Sequence, residues 1–97
     1  MISFEHTAIK TNISSTKVHE EVFKGVNLSN EVIRVVTKSS SCGCTVANIP
    51  DKIKPLESFE VIMVVNKLNQ SGLFATKVTL SFSNDQEVVI TLSGNIE

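Results

Sequence analysis

The stretch Phe74-Ala75-Thr76-Lys77-Val78-Thr79-Leu80-Ser81-Phe82 has two alternating sets of residues. The mainly apolar set is Phe74, Thr76, Val78, Leu80 and Phe82, and the mainly polar set is Ala75, Lys77, Thr79 and Ser81. Successive side chains of a β-strand point to opposite faces, so this period of two predicts a strand with one buried and one solvent-facing side. Val88, Ile90 and Leu92 repeat the pattern after the turn-forming residues 83–86. The two segments therefore predict an antiparallel β-hairpin at the C-terminal end.

Shorter apolar segments further upstream also favour strands. The first of them contains Ile2, Phe4 and Ile9. The others are residues 18–26, 32–36 and 59–65. In residues 18–26 the valines share one parity and Phe23 breaks it, which predicts a bulge or a twist. Residues 59–65 are apolar on nearly both parities, which is typical of a strand whose second face is partly covered.

The segments between these strands are polar or contain proline. Residues 11–17, 27–30 and 66–72 predict loops or turns, and Pro50 and Pro55 exclude a regular central strand between them. No segment carries a sustained helical period. About seven short strands in one chain of this length predict a single all-β domain over residues 1–97, an immunoglobulin-like antiparallel β-sandwich.

Composition excludes several classes of partner. The nine basic residues nearly balance the ten acidic ones and are scattered, and the aromatic residues are five Phe with no Tyr or Trp. Without clustered positive charge or a stacking platform, we expect no nucleic-acid partner. No apolar run approaches the roughly 20 residues of a membrane helix, and the N-terminus lacks the pattern of a signal peptide. We therefore expect no membrane association and a location in the cytoplasm of the producing cell or in a virion.

Both cysteines lie in Ser41-Cys42-Gly43-Cys44-Thr45. In an extended strand their Cα atoms would be roughly 6.6 Å apart, near the outer limit for a disulfide, so we expect no stable bridge. Gly43 could bend the backbone enough to close a small ring, which would be easily reduced. Cys42 and Cys44 are candidates for binding Cu(I) or for thiol chemistry. The alternative is that they are small apolar residues packed at a tight bend.

No set of residues predicts catalysis. His6 and His19 are too few and too irregularly spaced to complete a zinc site with the cysteines. Residues 39–41 are serines that we interpret as turn residues, since no histidine is partnered with them. Glu20 and Glu21 are neighbours on a strand and face opposite ways. We therefore predict a protein that is not an enzyme and that needs no cofactor.

Further residues match a known family pattern in order along almost the whole chain. They are Phe23, Asn27, Val32-Ile33, Ser41-Cys42-Gly43-Cys44-Thr45, Pro55, Glu57, Asn66, Gly72, Phe74, Lys77, Ser83-Asn84 and Gly94. On these residues the chain resembles the bacterial domain-of-unknown-function 1573 (DUF1573) family, an immunoglobulin-like group related to the ASH and hydin-type domains. The resemblance implies a β-sandwich without enzymatic activity, common in Bacteroidetes and also carried by some phages. This chain departs from the pattern in having no early Phe-Gly pair and in having Leu56 after Pro55, where members usually have Gly.

A protein of this kind is expected to act through its surface. The most concrete interpretation is a small decoration or cementing subunit of a phage capsid or a similar large assembly, so that its partner is protein and not a small-molecule substrate. The alternatives are a bacterial protein–protein interaction domain and a thiol or Cu(I)-handling domain that uses Cys42 and Cys44. The N-terminal strand is the expected sheet edge or exchanged element, and Lys77 and Thr79 are expected to face outward.

Overall fold

The computed structural model describes residues 1–67 and 70–97, and these residues form two β-sheets. In chain order the strands are β1 (Ile2–Phe4), β2 (Ala8–Lys10), β3 (His19–Asn27), β4 (Ile33–Ser40), β5 (Thr45–Asn48), β6 (Lys52–Ile53), β7 (Ser58–Val65), β8 (Gly72–Phe82) and β9 (Glu87–Ile96). The four-stranded sheet has the order β1-β3-β7-β5, and the five-stranded sheet has the order β2-β9-β8-β4-β6. The predicted all-β, immunoglobulin-like sandwich is confirmed.

The predicted C-terminal hairpin is β8 paired with β9, in unbroken antiparallel register from Gly72 opposite Ile96 to Ser81 opposite Glu87. The even-numbered residues of β8 from Phe74 to Phe82 are buried, as the alternation predicts. The turn contains Asp85 with φ 64°, a left-handed conformation that Asp tolerates better than most residues. This hairpin supplies one wall of the core.

The N-terminal segment forms two strands where one was predicted. Strand β1 pairs antiparallel with β3, and the chain then crosses to the other sheet, where β2 pairs parallel with β9. The predicted loop at residues 11–17 continues along β9, because the backbone nitrogens of Thr11 and Ile13 donate to the carbonyl oxygens of Ser93 and Asn95. The parallel pairing is a departure from the predicted antiparallel arrangement.

Of the bulge or twist predicted in residues 18–26, the bulge is absent, because strand β3 pairs with β7 without a shift in register. The alternation is regular, with Val22 facing outward and Phe23 buried in the core. A register shift occurs instead in β4, between Val35 and Thr37. After this shift, Lys38 lies opposite the buried Leu80. The side chain of Lys38 therefore projects from the inner face of the five-stranded sheet.

Strands β5 and β6 were not predicted, because each is only two to four residues long. Strand β6 lies between the two prolines and pairs only with β4, at the end of the five-stranded sheet. That position agrees with the exclusion of a central strand there. In the predicted loop at residues 66–72, Leu68 and Asn69 lie outside the described residues, and Gly72 already begins β8.

The space between the sheets is filled by aliphatic side chains and phenylalanines. The buried hydrophobic residues are Ile2, Ile13, Phe23, Ile33, Ala47, Ile53, Phe59, Val61, Met63, Val65, Phe74, Val78, Leu80, Phe82, Ile90, Leu92 and Ile96. The crossing N-terminal segment passes so close to β9 that a Cβ at Gly94, whose φ is 156°, would overlap the carbonyl oxygen of Thr11. Glycine is therefore required at this crossing.

The turn after β3 is organised by a buried amide. Asn27 has no exposed surface, and its Nδ2 donates to the carbonyl oxygens of Glu31, Ile53 and Lys54 at 2.8, 3.2 and 3.1 Å. Its Oδ1 accepts from the backbone nitrogen and the hydroxyl of Ser29. The prediction that Asn and Ser form a turn at residues 27–30 is confirmed, and this side chain also ties the turn to β6.

Candidate functional site

Cys42 and Cys44 are joined by a disulfide, with their Cα atoms 5.2 Å apart. The bridge excluded for an extended strand is therefore formed, through the bend at Gly43 that was the alternative, and its stability stays a prediction. The exclusion assumed an extended strand, whereas the chain turns after β4 and the backbone nitrogen of Thr45 donates to the carbonyl oxygen of Cys42 at 3.2 Å. This turn brings the Cα atoms within ordinary disulfide range. Gly43 at its tip is exposed, and apart from its neighbours Cys42 and Cys44 no described atom lies within 4 Å of where its Cβ would be.

Backbone hydrogen bonds attach the disulfide ring to the strands beside it. Ser41 and Lys77 form a reciprocal pair, since the nitrogen of Ser41 donates to the Lys77 carbonyl oxygen at 2.9 Å and the nitrogen of Lys77 donates to Ser41 Oγ at 3.0 Å. On the other side the nitrogen of Asn66 donates to the Cys44 carbonyl oxygen at 2.8 Å. The ring is thus held against both sheets.

A buried hydroxyl pair lies beneath the ring. Thr45 Oγ1 and Thr76 Oγ1 are 2.7 Å apart, and both residues are buried. Thr45 belongs to the four-stranded sheet and Thr76 to the five-stranded sheet. The pair is therefore a polar bridge between the two sheets, directly next to the cysteines.

The surroundings of the two sulfur atoms differ. Cys42 Sγ accepts from the backbone nitrogen of Cys44 at 3.2 Å and lies 3.9 Å from the ammonium nitrogen of Lys67. Cys44 Sγ lies 3.6 Å from the hydroxyl of Thr45. Sequence reasoning missed Lys67, because it lies 25 residues from Cys42 in the chain and only the fold brings them together.

The candidate metal ligands are not gathered into one cluster. Among the described residues, no group of three or more His, Cys, Asp and Glu could hold a metal ion. His6 is exposed between β1 and β2, and His19 Nε2 lies 3.0 Å from Glu21 Oε1. Because the disulfide occupies both sulfur atoms, Cu(I) binding by Cys42 and Cys44 would first require reduction.

The other polar residues singled out in the sequence have structural positions. Ser39 and Ser40 end β4, so the prediction that they are turn residues is wrong, while Ser41 does begin the bend. Strand β4 extends through Ser40 because its backbone pairs with β8, where Ser39 lies opposite Thr79. Glu20 is exposed on β3 and faces the opposite way from its neighbour Glu21, as expected.

Strand β1 is an edge of the four-stranded sheet, as predicted for the N-terminal strand. Its edge is capped by a side chain from the turn between β8 and β9. The backbone nitrogen of Ile2 donates to Gln86 Oε1 at 2.8 Å, and Gln86 Nε2 donates to the carbonyl oxygen of Ile2 at 2.7 Å. The amide of Gln86 thus occupies the position that a further strand would take.

Strand β5 is the opposite edge of the same sheet. The side chain of Lys38 crosses from the five-stranded sheet and donates from Nζ to the carbonyl oxygen of Ala47 at 2.9 Å. The bulge in β4 makes this possible by placing Lys38 on the inner face. At each edge of the four-stranded sheet, therefore, a side chain occupies backbone groups of one residue, Ile2 in β1 and Ala47 in β5.

The outer face of the four-stranded sheet carries a continuous apolar cluster, here called the outer apolar patch: Val22, Val46, Ile62 and Val64. These residues share one face because Val22 lies opposite Ile62 and Val46 lies opposite Val64. Val22 and Val46 are 39% and 54% exposed, and the other two are half-buried by their neighbours. Residues 59–65 are apolar at nearly every position, and this was the sequence signal for the patch. In the described part of the chain, no second layer covers the patch.

Charged residues border the outer apolar patch. Glu20 lies opposite Val64, and Lys24 lies opposite Glu60, all on the same outer face. All three charged residues are exposed. The surface therefore has the apolar centre and polar rim that are typical of protein interfaces.

The outer face of the five-stranded sheet has a different composition. Lys77 is exposed and Thr79 is half-buried on β8, which agrees with the prediction that they face outward. Thr91 and Ser93 lie opposite Lys77 and Ala75 on the same face. The same sheet also exposes apolar side chains, namely Val36 on β4 at 62%, Leu73 on β8 at 90% and Val89 on β9 at 43%.

A shallow groove of about 730 Å³ lies over β1, β3 and β7 near Gly25. The rings of Phe4 and Phe59 meet there edge to face, with centroids 5.5 Å apart. A Cβ at Gly25 would come within 2.7 Å of the Phe59 ring. Because Gly25 has no side chain, the Phe59 ring can lie close to the backbone there. The walls of the groove include Ser3 and Ser58.

Within the residues that the structure describes, no helix has the length and apolarity needed to cross a bilayer.

The comparison with protein families gives one match. A family model described as a protein of unknown function (DUF1573) matches residues 2–96. No curated protein sequence matches the chain.

Solved structures share the fold at low sequence identity. A protein of unknown function from Porphyromonas gingivalis W83 aligns with a TM-score of 0.80 and 10% identity, over 97% of this chain and 46% of that one. The ASH/PapD-like domain 7 of human CEP192 aligns with a TM-score of 0.79 and 10% identity, over 99% of this chain and 84% of that one. The periplasmic chaperone SfaE aligns with a TM-score of 0.56 and 9% identity, over 100% of this chain and 56% of that one. The chain thus spans less than half of the Porphyromonas protein.

Proposed function

The chain belongs to the DUF1573 family, and from this premise and the geometry of its surface we propose that it is a non-enzymatic protein-interaction module. Its fold is shared with an ASH/PapD-like domain and with a periplasmic chaperone. A fold of this kind is compatible with many functions, so the proposal depends on the surface of this chain.

The observation that carries the proposal is the outer apolar patch. A sandwich that acts alone is expected to cover its outer faces mainly with polar groups. The four-stranded sheet instead exposes Val22 and Val46 beside Ile62 and Val64. Contiguous exposed apolar side chains within a charged rim indicate a surface that a protein partner covers.

The capped edges indicate how the partner binds. Gln86 occupies the backbone groups of β1, and Lys38 occupies a backbone carbonyl of β5. Strand addition to the four-stranded sheet would have to displace these side chains. We therefore infer contact through the face of the sheet and not through an exchanged N-terminal strand.

In its more specific form, the proposal is that the partner belongs to a large assembly and that this protein is a small decoration or cementing subunit of a phage capsid. The protein would then reside in the virion or, before assembly, in the cytoplasm of the producing cell. This form rests on analogy with single immunoglobulin-like domains that decorate capsids and with the phage-encoded members of the family. A bacterial protein–protein interaction domain is the alternative with the same binding surface.

The test compares one position in the outer apolar patch with one position on the outer face of the other sheet. Val46→Lys places a charge within the outer apolar patch, and Ala75→Lys places the same charge on the exposed face of β8. Each variant replaces the wild-type protein in the cells that naturally produce it, and the lysate is sedimented through a density gradient. We expect the wild type and Ala75→Lys to sediment with a large particle and Val46→Lys to remain at the top, with unchanged circular dichroism of both purified variants.

Each other distribution contradicts part of the proposal. If Val46→Lys sediments with the wild type, the outer apolar patch is not the contact surface. If the wild type sediments with a protein complex smaller than a capsid, the interaction role stands and the virion role is wrong. If the wild type remains a free monomer at the top, the interaction role is wrong.

A further inference from the structure

The disulfide ring at residues 42–44 has features of a reactive site as well as of a structural link. Both cysteines are half-buried, so neither residue is enclosed in the core. Gly43 between them is exposed, and apart from the two cysteines no described atom lies within 4 Å of where its Cβ would be. The ring therefore lies at the surface, where a thiol group of another molecule can approach it.

The contacts of the two sulfur atoms assign them different roles. The ammonium group of Lys67 lies 3.9 Å from Cys42 Sγ, and the backbone N–H of Cys44 points at the same sulfur at 3.2 Å. A cation and an N–H donor stabilise a thiolate at the position of Cys42. A sulfur that is stabilised as a thiolate is the better leaving group in thiol–disulfide exchange. Cys44 Sγ, which lies beside the Thr45 hydroxyl, is then the atom that is attacked.

We propose that the Cys42–Cys44 disulfide is a thiol–disulfide exchange site that accepts two electrons from two thiols, supplied either by one protein dithiol or by two molecules of a small thiol. The incoming thiolate attacks Cys44 Sγ and forms a mixed disulfide, while the Cys42–Cys44 bond breaks and Cys42 Sγ leaves as a thiolate beside Lys67. The second thiol of the donor, as its thiolate, attacks the mixed disulfide and releases Cys44. The donor ends as a disulfide, and the two protons of its thiols are taken up by the two cysteines or by solvent.

The frame around the ring allows this reaction to reverse. The hydrogen bond from Thr45 to the Cys42 carbonyl oxygen keeps the turn closed, and the bond from Asn66 holds the Cys44 carbonyl oxygen. The Thr45–Thr76 pair anchors the same segment from below. None of these contacts uses a sulfur atom, so the two thiols remain neighbours after reduction and the disulfide can form again.

The first test measures the role of Lys67 in a protein with one thiol. In the Cys44→Ser variant, the rate of alkylation of Cys42 by iodoacetamide is followed against pH. We expect Lys67→Gln in this background to raise the midpoint of the pH profile by about 0.5 to 1 unit, and Lys67→Arg to leave it nearly unchanged. Equal midpoints for all three proteins would overturn the assignment of Cys42 as the stabilised thiolate.

The second test measures exchange in the full protein. The fraction of disulfide is measured by mass spectrometry after equilibration at pH 8.5 in buffers of reduced and oxidised glutathione. We expect the wild type to be reduced within the range of these buffers and Lys67→Gln to need about threefold more reducing conditions. The Cys42→Ser variant, which retains Cys44, is expected to accumulate a mixed disulfide with glutathione. A wild-type disulfide that survives the most reducing buffer would overturn the proposal.

This inference does not depend on the protein-interaction role. The exchange measurements use the purified protein alone, so their outcome is separate from the sedimentation of the Val46→Lys variant.

Discussion

The amide of Gln86 pairs with both backbone groups of Ile2, accepting from its nitrogen at 2.8 Å and donating to its carbonyl oxygen at 2.7 Å. The two residues are 84 positions apart in the chain, and only the fold brings them together. One side chain thus acts as a short neighbouring strand for β1.

Loss of this cap is expected to weaken the protein and expose its edge. Gln86→Ala removes both hydrogen bonds, so we expect the free energy of unfolding in urea to fall by about 1 to 2 kcal/mol. The uncapped β1 is also expected to promote concentration-dependent dimers in light scattering. Glu87→Ala, at the exposed neighbouring position, serves as the control. A monomeric Gln86→Ala protein of wild-type stability would show that the cap has no protective role.

The turn before β7 contains a residue in an unfavourable conformation. The nitrogen of Glu57 donates to the Lys54 carbonyl oxygen at 3.1 Å, with Pro55 and then Leu56 between them. Leu56 has φ 60°, in the left-handed region that the third position of a type II turn requires. Members of the family usually have Gly there, and the turn geometry explains why.

Leu56→Gly is therefore expected to stabilise the protein. Relief of the left-handed conformation exceeds the entropy cost of glycine, so we expect a gain of about 0.5 to 1 kcal/mol in the free energy of unfolding. Little packing is lost, because Leu56 is 67% exposed. Leu56→Ala retains a Cβ and should leave the stability nearly unchanged. A lower stability of Leu56→Gly in urea unfolding would contradict this explanation.

The buried amide of Asn27 is expected to be sensitive to a single-atom change. Asn27→Asp replaces the NH₂ group, which donates to three carbonyl oxygens, with an oxygen that is repelled by them. We expect a loss of about 3 kcal/mol in the free energy of unfolding at pH 7. Asn30→Asp, an exposed substitution in the same turn, should cost little. Similar urea midpoints for the two variants would show that the carbonyl contacts contribute little.

The hydroxyl pair between the sheets can be examined with a double-mutant cycle. Thr76→Val leaves the buried Thr45 hydroxyl without its 2.7 Å partner, and Thr45→Val does the converse. We expect each single variant to lose about 1 to 2 kcal/mol and the double variant to lose less than their sum, because no partner is then left unpaired. Strictly additive losses in thermal unfolding would show that the two hydroxyls act independently.

Those parts of the fold that depend on local periodicity could be predicted from the sequence. The hairpin of β8 and β9 follows from its alternation, and the turn at Asn27 follows from the backbone bonding of Asn and Ser. Strands β2, β5 and β6 could not be predicted, because segments of two to four residues carry too short a pattern and owe their conformation to pairing with longer strands.

The candidate sites could be predicted only in part. The cysteine motif was evident, but the disulfide depends on a turn that an extended-strand assumption excludes. Lys67, Lys38 and Gln86 each act on a residue distant in the chain, so their roles appear only when the sheets are assembled. The outer apolar patch had a local signal in residues 59–65, and the contributions of Val22 and Val46 required the strand register.

The parallel pairing of the N-terminal segment with β9 has a mechanical consequence. Hydrogen bonds join the N-terminal segment, from Thr7 to Ser15, to most of the length of β9. Tension between the start of this segment and the end of β9 pulls the two strands past each other, so the bonds are loaded together and not broken one after another. Forced unfolding is governed by the rate at which such a barrier is crossed, and a shared load slows it. Tension applied in this direction is therefore expected to be opposed by the whole of this parallel pairing at once.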